Sequence, residues 1–194
     1  MILGITGPTG AGKTTALEEL KKRGYRVVDC DRLYDGMLER DESLRSALKA
    51  AFGEQIFLPD GSLDRRALSA TVFGDSRELK KLNDIVFPAV GAEVEKIIAE
   101  NPTRGVAIDA INLIESGLGE MCDMTVAITA PVQVRAQRIM ARDGITQERA
   151  MARINAQKPD KFYRKHCTFL LENRAGSQAE FRRLMGEFFD DILF

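Results

Sequence analysis

The sequence is poor in several residue types on which whole classes of protein depend. Its 194 residues include no tryptophan, one histidine and three cysteines. The cysteines, Cys30, Cys122 and Cys167, are odd in number and far apart, so neither a disulfide scaffold nor a cysteine metal cluster is predicted. This pattern is typical of a reducing compartment, and we expect a cytoplasmic protein. We interpret the lone histidine, His166, as structural, which argues against a mechanism that depends on histidine.

Long apolar runs and a strong excess of positive charge are also missing. No run approaches the ~20 apolar residues that span a bilayer, and no cationic region precedes the first apolar residues, so neither a membrane helix nor a signal peptide is predicted. The formal net charge of −1 argues against nonspecific binding of nucleic acid. We therefore expect a monomer of one α/β domain with small insertions, without membrane or nucleic-acid partners.

The clearest positive signal is the N-terminal stretch MILGITGPTGAGKTT. Residues 7–14 match the pattern G-x-x-x-x-G-K-[ST], with an apolar run before them and a helical pattern after them. Glycines let backbone N–H groups point at phosphate oxygens, and the positive end of the following helix favours the same anion. In such a loop Lys13 reaches the β- and γ-phosphates and Thr14 ligates Mg²⁺. The residues expected to bind the nucleotide here are Gly7, Gly10, Ala11, Gly12, Lys13, Thr14 and Thr15.

Four further strand candidates alternate with helical segments along the chain. They are Tyr25–Asp29, Gly105–Ala110, Asp123–Thr129 and Thr168–Asn173. Strands that alternate with helices predict a parallel sheet with right-handed crossovers. The sequence therefore predicts a three-layer α/β fold around a five-stranded parallel sheet.

The segment between the second and third strands is helical in pattern from Leu33 to about Glu100, with a turn at Asp60-Gly61. Its length suggests an insertion that covers a substrate, although scaffold is the simpler interpretation for most of its residues. Pro88 is expected to bend the helix around it or to separate two helices. Near the C-terminus, apolar residues at helical spacing predict a closing helix packed on the core. They are Phe181, Leu184, Met185, Phe188, Phe189, Ile192 and Leu193.

Three acidic residues end or follow predicted strands, at the edge where open parallel sheets bind their ligands. Asp29 and Asp31 form a D-x-D pair at the second strand, and a carboxylate there is placed to accept the proton of an attacking hydroxyl. The alternative is that Asp31 only caps the next helix. Asp109 ends the third strand as magnesium-binding acids do, although a single acid is a weak signal.

A basic segment extends over residues 131–165, where nine Lys and Arg residues stand against three acids. Arg138 and Arg142 are four residues apart and project from one face of a helix, and a second such pair follows a predicted break at Asp143–Thr146. Two arginine-bearing helices joined by a hinge suggest a lid over bound polyphosphate, because the planar guanidinium group matches phosphate oxygens. A solvated basic face is the alternative.

Together these motifs resemble the dephospho-coenzyme A kinase family, which phosphorylates the ribose 3′-hydroxyl of dephospho-CoA with ATP. The motifs are, in order, GITGPTGAGKTT, VVDCD, LDRRALSATVF, LNDIVFP, IESGL, RDGIT, RINAQ and LENRAG, and they cover nearly the whole chain. Many kinases share the phosphate loop, whereas the ordered set is far more specific. The resemblance implies the last step of coenzyme A biosynthesis, with ATP and dephospho-CoA as substrates and Mg²⁺ as cofactor.

The resemblance also implies roles for individual residues. Asp31 is expected to be the catalytic base, and Lys13 and Arg142 are expected to stabilise charge on the phosphates of ATP. Outside the phosphate loop, the residues implied on the ATP side are Arg138, Arg142, Asn173 and Gly176. The residues implied on the acceptor side are Asp29, Asp31, Arg65, Asp109 and Glu115.

The expected organisation is one chain of residues 1–194 with three parts. The core covers residues 1–32, 101–137 and 166–194. A helical acceptor subdomain for the CoA side covers about 33–100, and the lid covers about 138–165.

The chain departs from the family pattern at two places on the presumed acceptor side. Residues 111–115, INLIE, stand where the family usually has P-L-L-x-E, and Phe87-Pro88 stands where it usually has His-Pro. One alternative is therefore another nucleotide or nucleoside kinase with the same ATP half. A nucleotide-dependent switch is a second alternative, and the lack of an N-K-x-D guanine-reading motif argues against it.

Overall fold

A computed structural model describes residues 1–72 and 74–193 of the protein. The chain divides into two compact units, of which the first comprises Met1–Val28 and Asn101–Phe194 and the second Asp29–Glu100. Within the described residues the α-helices are Lys13–Lys22 (α1), Cys30–Arg40 (α2), Glu42–Phe52 (α3), Arg65–Val72 (α4), Ser76–Ala99 (α5), Val132–Asp143 (α6), Gln147–Asn155 (α7), Asp160–His166 (α8) and Gln178–Leu193 (α9). None of the helices described is both long enough and apolar enough to cross a membrane.

A five-stranded sheet forms the centre of the first unit. Its strands are Ile2–Thr6 (β1), Arg26–Asp29 (β2), Val106–Asp109 (β3), Met124–Thr129 (β4) and Phe169–Glu172 (β5). They lie in the order β2-β3-β1-β4-β5, and β1 pairs in parallel with β3 and β4, as β4 does with β5. The predicted five-stranded parallel sheet is confirmed, and β2 to β5 each lie within their predicted ranges.

The core of the first unit lies between the sheet and the pair of helices α1 and α9. Sheet residues such as Leu3, Ile5 and Ile128 have no exposed surface, as expected for parallel strands covered on both faces. Phe181 and Phe189 of α9 are buried against them, so the predicted closing helix is present. The other members of this core are Ala11, Ala16, Leu17, Leu20, Ala107, Val126, Ala130 and Met185. Leu184, which was expected in the same apolar stripe, is instead 41% exposed.

Aspartate side chains fix the starts of the four helices in the second unit. Asp29, Asp41 and Asp75 accept hydrogen bonds from backbone N–H groups of α2, α3 and α5, and Asp64 does so for α4. These N–H groups have no partner within their own helices, so each aspartate stabilises the first turn. The predicted turn at Asp60-Gly61 is present. The buried apolar residues of this unit include Leu44, Leu48, Phe52, Ile56, Leu68, Val90 and Val94.

Pro88 lies inside α5, which continues over 24 residues from Ser76 to Ala99. The structure therefore has one helix where the sequence left open a division into two. A proline removes one hydrogen bond from a helix interior, while the turns on both sides can keep theirs. Burial of Val90 and Val94 just beyond the proline holds the second half of the helix in place.

Candidate active site

The phosphate loop, residues 7–14, lies between β1 and the first turn of α1, as predicted. Gly7 and Gly12 have φ angles of 126° and 113°, in the region that other residues rarely adopt. A Cβ atom at Gly7 would lie 2.0 Å from the Ile128 carbonyl oxygen, and one at Gly12 would lie 2.7 Å from Asn173 Nδ2. The loop therefore needs glycine at both positions, for its backbone angle and for lack of space.

The N-terminus of α1 has no capping side chain. Its N-cap residue is Gly12, and no acidic residue lies in the first turn. The N–H groups there keep their partial positive charge for a bound anion. Lys13 Nζ donates a hydrogen bond to the Gly7 carbonyl oxygen at 2.7 Å, so the ammonium group reaches back to the start of the loop. Thr14 follows in the same turn and is exposed.

Side chains from distant parts of the chain hold the carbonyl groups of the loop. Arg138 Nη1 donates to the Gly10 and Ala11 carbonyl oxygens at 3.1 and 3.2 Å, and Asn173 Nδ2 donates to that of Ala11 at 2.9 Å. In a planar trans peptide the C=O bond and the next N–H bond point in opposite directions. The two bonds to Ala11 therefore also set the direction of the Gly12 N–H group.

Two further loop contacts come from residues that the sequence analysis did not single out. Arg135 is buried in α6, and its Nε donates to the Thr9 carbonyl oxygen at 3.0 Å. Gln157 follows α7, and its Oε1 accepts from Thr9 N at 3.1 Å and from Arg135 Nη2 at 2.8 Å. The place of Gln157 in the RINAQ motif was the available signal, but a motif does not indicate which atoms a side chain contacts.

A cavity of about 380 Å³ adjoins the phosphate loop. Its walls include Gly12, Thr15, Arg138, Asn173 and Gly176, so it brings together five residues predicted for the ATP side. Asn173 is only 2% exposed, and its Oδ1 has no hydrogen-bond partner among the described residues. An unpaired buried acceptor is unfavourable, so this atom suits a ligand that supplies a donor.

At the C-terminal end of α6, Arg142 donates hydrogen bonds to a carboxylate and not to the backbone of the loop. Arg142 is exposed, and its guanidinium group donates to both carboxylate oxygens of Asp143, at 2.7 and 3.0 Å. Arg153 of α7 donates to the same carboxylate at 2.5 Å. The hydrogen bond from Arg142 is the main reason that the pKa of Asp143 falls to about 2. Arg142 Nη2 also contacts Thr9 Oγ1 at 3.5 Å, which places this ion pair next to the phosphate loop.

The hinge, Asp143–Thr146, has the form that the sequence predicted. Gly144 ends α6 with a φ of 63°, and Thr146 Oγ1 accepts a hydrogen bond from the Arg149 N–H group at the start of α7. The two helices pack through an apolar cluster of their own. Its buried members are Ala136, Ile139, Ala150 and Ile154.

Two acids of the first unit were predicted for the acceptor side. Asp109 is half-buried at the end of β3, in register with Ile5 of β1, so it lies at the strand end next to the phosphate loop. Glu115 Oε1 lies 3.8 Å from Lys158 Nζ. Across the described ranges, no group of three or more His, Cys, Asp or Glu residues is arranged to hold a metal ion.

The two D-x-D acids of the second unit, Asp29 and Asp31, lie at different positions at the start of α2. Asp29 Oδ1 accepts a hydrogen bond from Arg32 N at 3.1 Å and caps α2, so the alternative in which Asp31 is the cap is wrong. Asp31 lies exposed in the first turn of that helix. Arg65 forms a hydrogen-bonded ion pair with Asp35. The hydrogen bond to Asp35 is the main cause that raises the pKa of Arg65, and the charge of Asp31 adds a smaller contribution. The second unit thus brings Asp31 and Arg65 into one electrostatic group.

Comparisons with known proteins agree with the motif pattern. The family model for dephospho-CoA kinase matches residues 1–179. A dephospho-CoA kinase from Thermus thermophilus is 36% identical over 189 residues, which cover 95% of this chain and 88% of that protein. The crystal structure of TT1252 from Thermus thermophilus has a TM-score of 0.80 at 34% identity, and the match covers 98% of this chain and 97% of that one.

A more distant solved structure supports the fold. Dephospho-CoA kinase from Campylobacter jejuni has a TM-score of 0.60 at 20% identity, over 98% of this chain and 96% of that one. The resemblance drawn from the ordered motifs is confirmed by the family match. The chain belongs to the dephospho-CoA kinase family.

Proposed function

We propose that this protein transfers the γ-phosphoryl group of ATP to the ribose 3′-hydroxyl of dephospho-CoA, the last step of coenzyme A biosynthesis. The observation that carries the proposal is the family match over residues 1–179. The phosphate loop supplies the chemistry for the donor, because an uncapped helix N-terminus and Lys13 both favour a triphosphate. In-line transfer then depends mainly on positioning and on electrostatic stabilisation.

We assign the donor to the phosphate loop and the cavity beside it. The triphosphate would contact the loop from Gly7 to Thr15, and the adenine would lie toward Asn173 and Gly176. The unpaired Oδ1 of Asn173 supports this assignment, because the exocyclic amino group of adenine is a hydrogen-bond donor. Arg138 would add positive charge on the same side, since it lines the cavity and contacts the loop.

The oxygen donors near the loop fit a magnesium ion that is shared with the substrate. Mg²⁺ keeps several waters and is usually held by one or two protein groups together with phosphate oxygens. Thr14 offers an exposed hydroxyl in the first turn of α1, and we assign it as the protein ligand. When bound, the metal would neutralise charge on the β- and γ-phosphates.

The acceptor is assigned to the second unit, with the helical subdomain at about 33–100. Asp31 would accept the proton of the attacking hydroxyl, and its exposure leaves the carboxylate accessible to a substrate. Asp29 and Arg65 would support it, and Asp109 and Glu115 would contact the acceptor.

From the lid, at about 138–165, Arg142 would leave Asp143 to neutralise the transferring phosphoryl group.

The remaining assignments concern the state of the protein in the cell. We propose a cytoplasmic monomer without nucleic-acid or membrane partners. The small, odd number and wide spacing of the cysteines, Cys30, Cys122 and Cys167, support a reducing compartment.

Turnover with Mg-ATP and dephospho-CoA, with the product identified by mass, tests the proposed activity. We expect one added phosphoryl group on the 3′-hydroxyl, and lower kcat/KM with AMP, CMP or uridine as acceptors. A preference for one of those three would instead show a different nucleotide or nucleoside kinase. ATP binding without turnover of any acceptor would favour a switch.

The assignment of Asp31 has its own test, in which Asp31→Asn is compared with Glu39→Gln. Glu39 is an exposed acid on the same helix, so it controls for loss of surface charge. Loss of a general base is expected to reduce kcat by about 10²- to 10⁴-fold, whereas Glu39→Gln should retain the wild-type rate. Wild-type turnover by Asp31→Asn would show that the base is assigned wrongly.

A further inference from the structure

Arg135 is a buried cation that forms no ion pair among the described residues. It is 5% exposed, and it is the only buried Lys or Arg in the part of the chain that the structure describes. Burial lowers the pKa of its guanidinium group, and none of the ion pairs among the described residues includes it. The charge of Asp160 offsets part of the cost of burying this cation, and hydrogen bonds to neutral acceptors supply further compensation.

The hydrogen bonds of Arg135 form a closed ring around Thr9. Arg135 Nε donates to Thr9 O at 3.0 Å, Arg135 Nη2 donates to Gln157 Oε1 at 2.8 Å, and Thr9 N donates to the same Gln157 oxygen at 3.1 Å. Both backbone groups of Thr9 are therefore bound. Gly10 packs closely behind the ring, since a Cβ atom there would lie 2.9 Å from the Arg135 carbonyl oxygen.

This ring sets the direction of two peptide groups at the tip of the phosphate loop. Because C=O and N–H point in opposite directions in a trans peptide, the bond to Thr9 O turns the Gly10 N–H away from Arg135. The hydrogen bond from Thr9 N to Gln157 turns the Pro8 carbonyl group away from Gln157, and the Pro8 oxygen accepts a hydrogen bond from Ala11 N at 3.3 Å. The tip of the loop is thus fixed before any phosphate is bound.

We propose that Arg135 and Gln157 are positioning residues for the ATP phosphates, acting through the backbone of Thr9. This inference rests on the proposed function, because it assumes that the loop binds ATP. Gln157 follows α7, while Arg135 belongs to α6, so the ring also joins the loop to α6 and to the segment that follows α7. Loss of the Gln157 acceptor releases Thr9 N and one guanidinium nitrogen together.

Three variants at exposed or partly exposed sites test the inference. Gln157→Leu removes the acceptor, Gln157→Glu keeps an acceptor oxygen, and Gln147→Leu is the control at an exposed glutamine on α7. The readouts are the Kd for ATP without acceptor, the KM values for ATP and for dephospho-CoA, and the thermal unfolding midpoint. Gln157→Leu is expected to raise the Kd and KM for ATP about tenfold, while the KM for dephospho-CoA changes less than about twofold.

The expected rescue and the contrary results are equally specific. Gln157→Glu should retain most of the affinity for ATP, and Gln147→Leu should match the wild type. Wild-type affinity in Gln157→Leu, with or without a lower unfolding midpoint, would overturn the positioning role and leave the proposed function intact. Equal losses in Gln157→Leu and Gln157→Glu would also overturn it. Absence of ATP binding by the wild-type protein would overturn both proposals.

Discussion

The phosphate loop and the hinge lie close together, but different kinds of contact hold them. In the loop, Arg135, Arg138 and Asn173 donate to backbone carbonyl oxygens from buried or half-buried positions. At the hinge, exposed Arg142 and Arg153 share the carboxylate of Asp143. Buried hydrogen bonds to backbone are specific and little affected by salt, whereas exposed ion pairs are weak and screened. The comparison indicates a preformed loop beside a lid end that can rearrange.

Among the changes that compare the loop with the hinge, removal of Lys13 should have the largest effect on activity. Lys13→Ala deletes the ammonium group that lies across the loop, and loss of one such preorganised charge is expected to lower kcat by about 10²- to 10³-fold. The matched variant at the hinge is Arg153→Ala, which should stay within about threefold of wild type because it removes an exposed ion pair. Steady-state kinetics with Mg-ATP and dephospho-CoA would measure both. Similar losses of kcat in the two variants would contradict the proposed difference between the loop and the hinge.

Two glycines with left-handed φ angles allow the same comparison for stability. Gly7→Ala puts a Cβ atom 2.0 Å from a backbone oxygen of β4, so we expect a loss of about 3 kcal/mol or more in the free energy of unfolding. At Gly144 nothing lies within 4 Å of an added Cβ atom, so Gly144→Ala should cost only about 1 kcal/mol for the backbone angle. Urea denaturation gives both values. A larger loss for Gly144→Ala would show that the hinge is the more constrained region.

The pH dependence of the hinge should give the smallest effect. The folded state holds the pKa of Asp143 at about 2, below its ordinary value of 3.8, so the paired carboxylate favours folding only while it is ionised. Its contribution is complete above about pH 5 and is lost progressively as the pH falls through both pKa values, to about pH 1. The stability difference between wild type and Asp143→Asn should therefore disappear over that range in urea denaturation. A difference that stays constant from pH 5 to pH 2 would contradict the ion-pair account.

Local sequence was sufficient for the strands of the sheet and for the loop. Strand periodicity placed β2 to β5 to within one residue at each end, and the glycines of the loop identified its conformation because few other residues adopt those angles. Pro88 shows the limit of local rules, since burial beyond the proline keeps α5 in one piece. The cap of α2 shows another limit, because Asp29 and Asp31 have the same chemistry and only the backbone decides which one caps.

The supports of the loop were harder to predict, because they join residues far apart in the chain. Asn173 and Ala11 are separated by 162 positions, and Arg135 and Thr9 by 126. Arg135 also belongs to a basic segment whose charge suggested exposed residues. Its burial results from packing that no local pattern records. Sequence therefore indicated the type of loop and the ligand it suits, but it did not indicate what holds the loop in shape.

The most direct test of the account is the Kd for ATP, measured by isothermal titration without acceptor, in Arg138→Met and Arg142→Met. Both variants keep an unbranched side chain in place of the apolar stem of arginine and remove the charge. Because Arg138 supports the preformed loop and Arg142 is paired with Asp143, Arg138→Met should weaken binding about tenfold, and Arg142→Met should stay within about threefold. Equal losses of affinity, or a greater loss for Arg142→Met, would contradict the claim that Arg138, which contacts the loop, contributes more to ATP binding than Arg142, which is paired with Asp143.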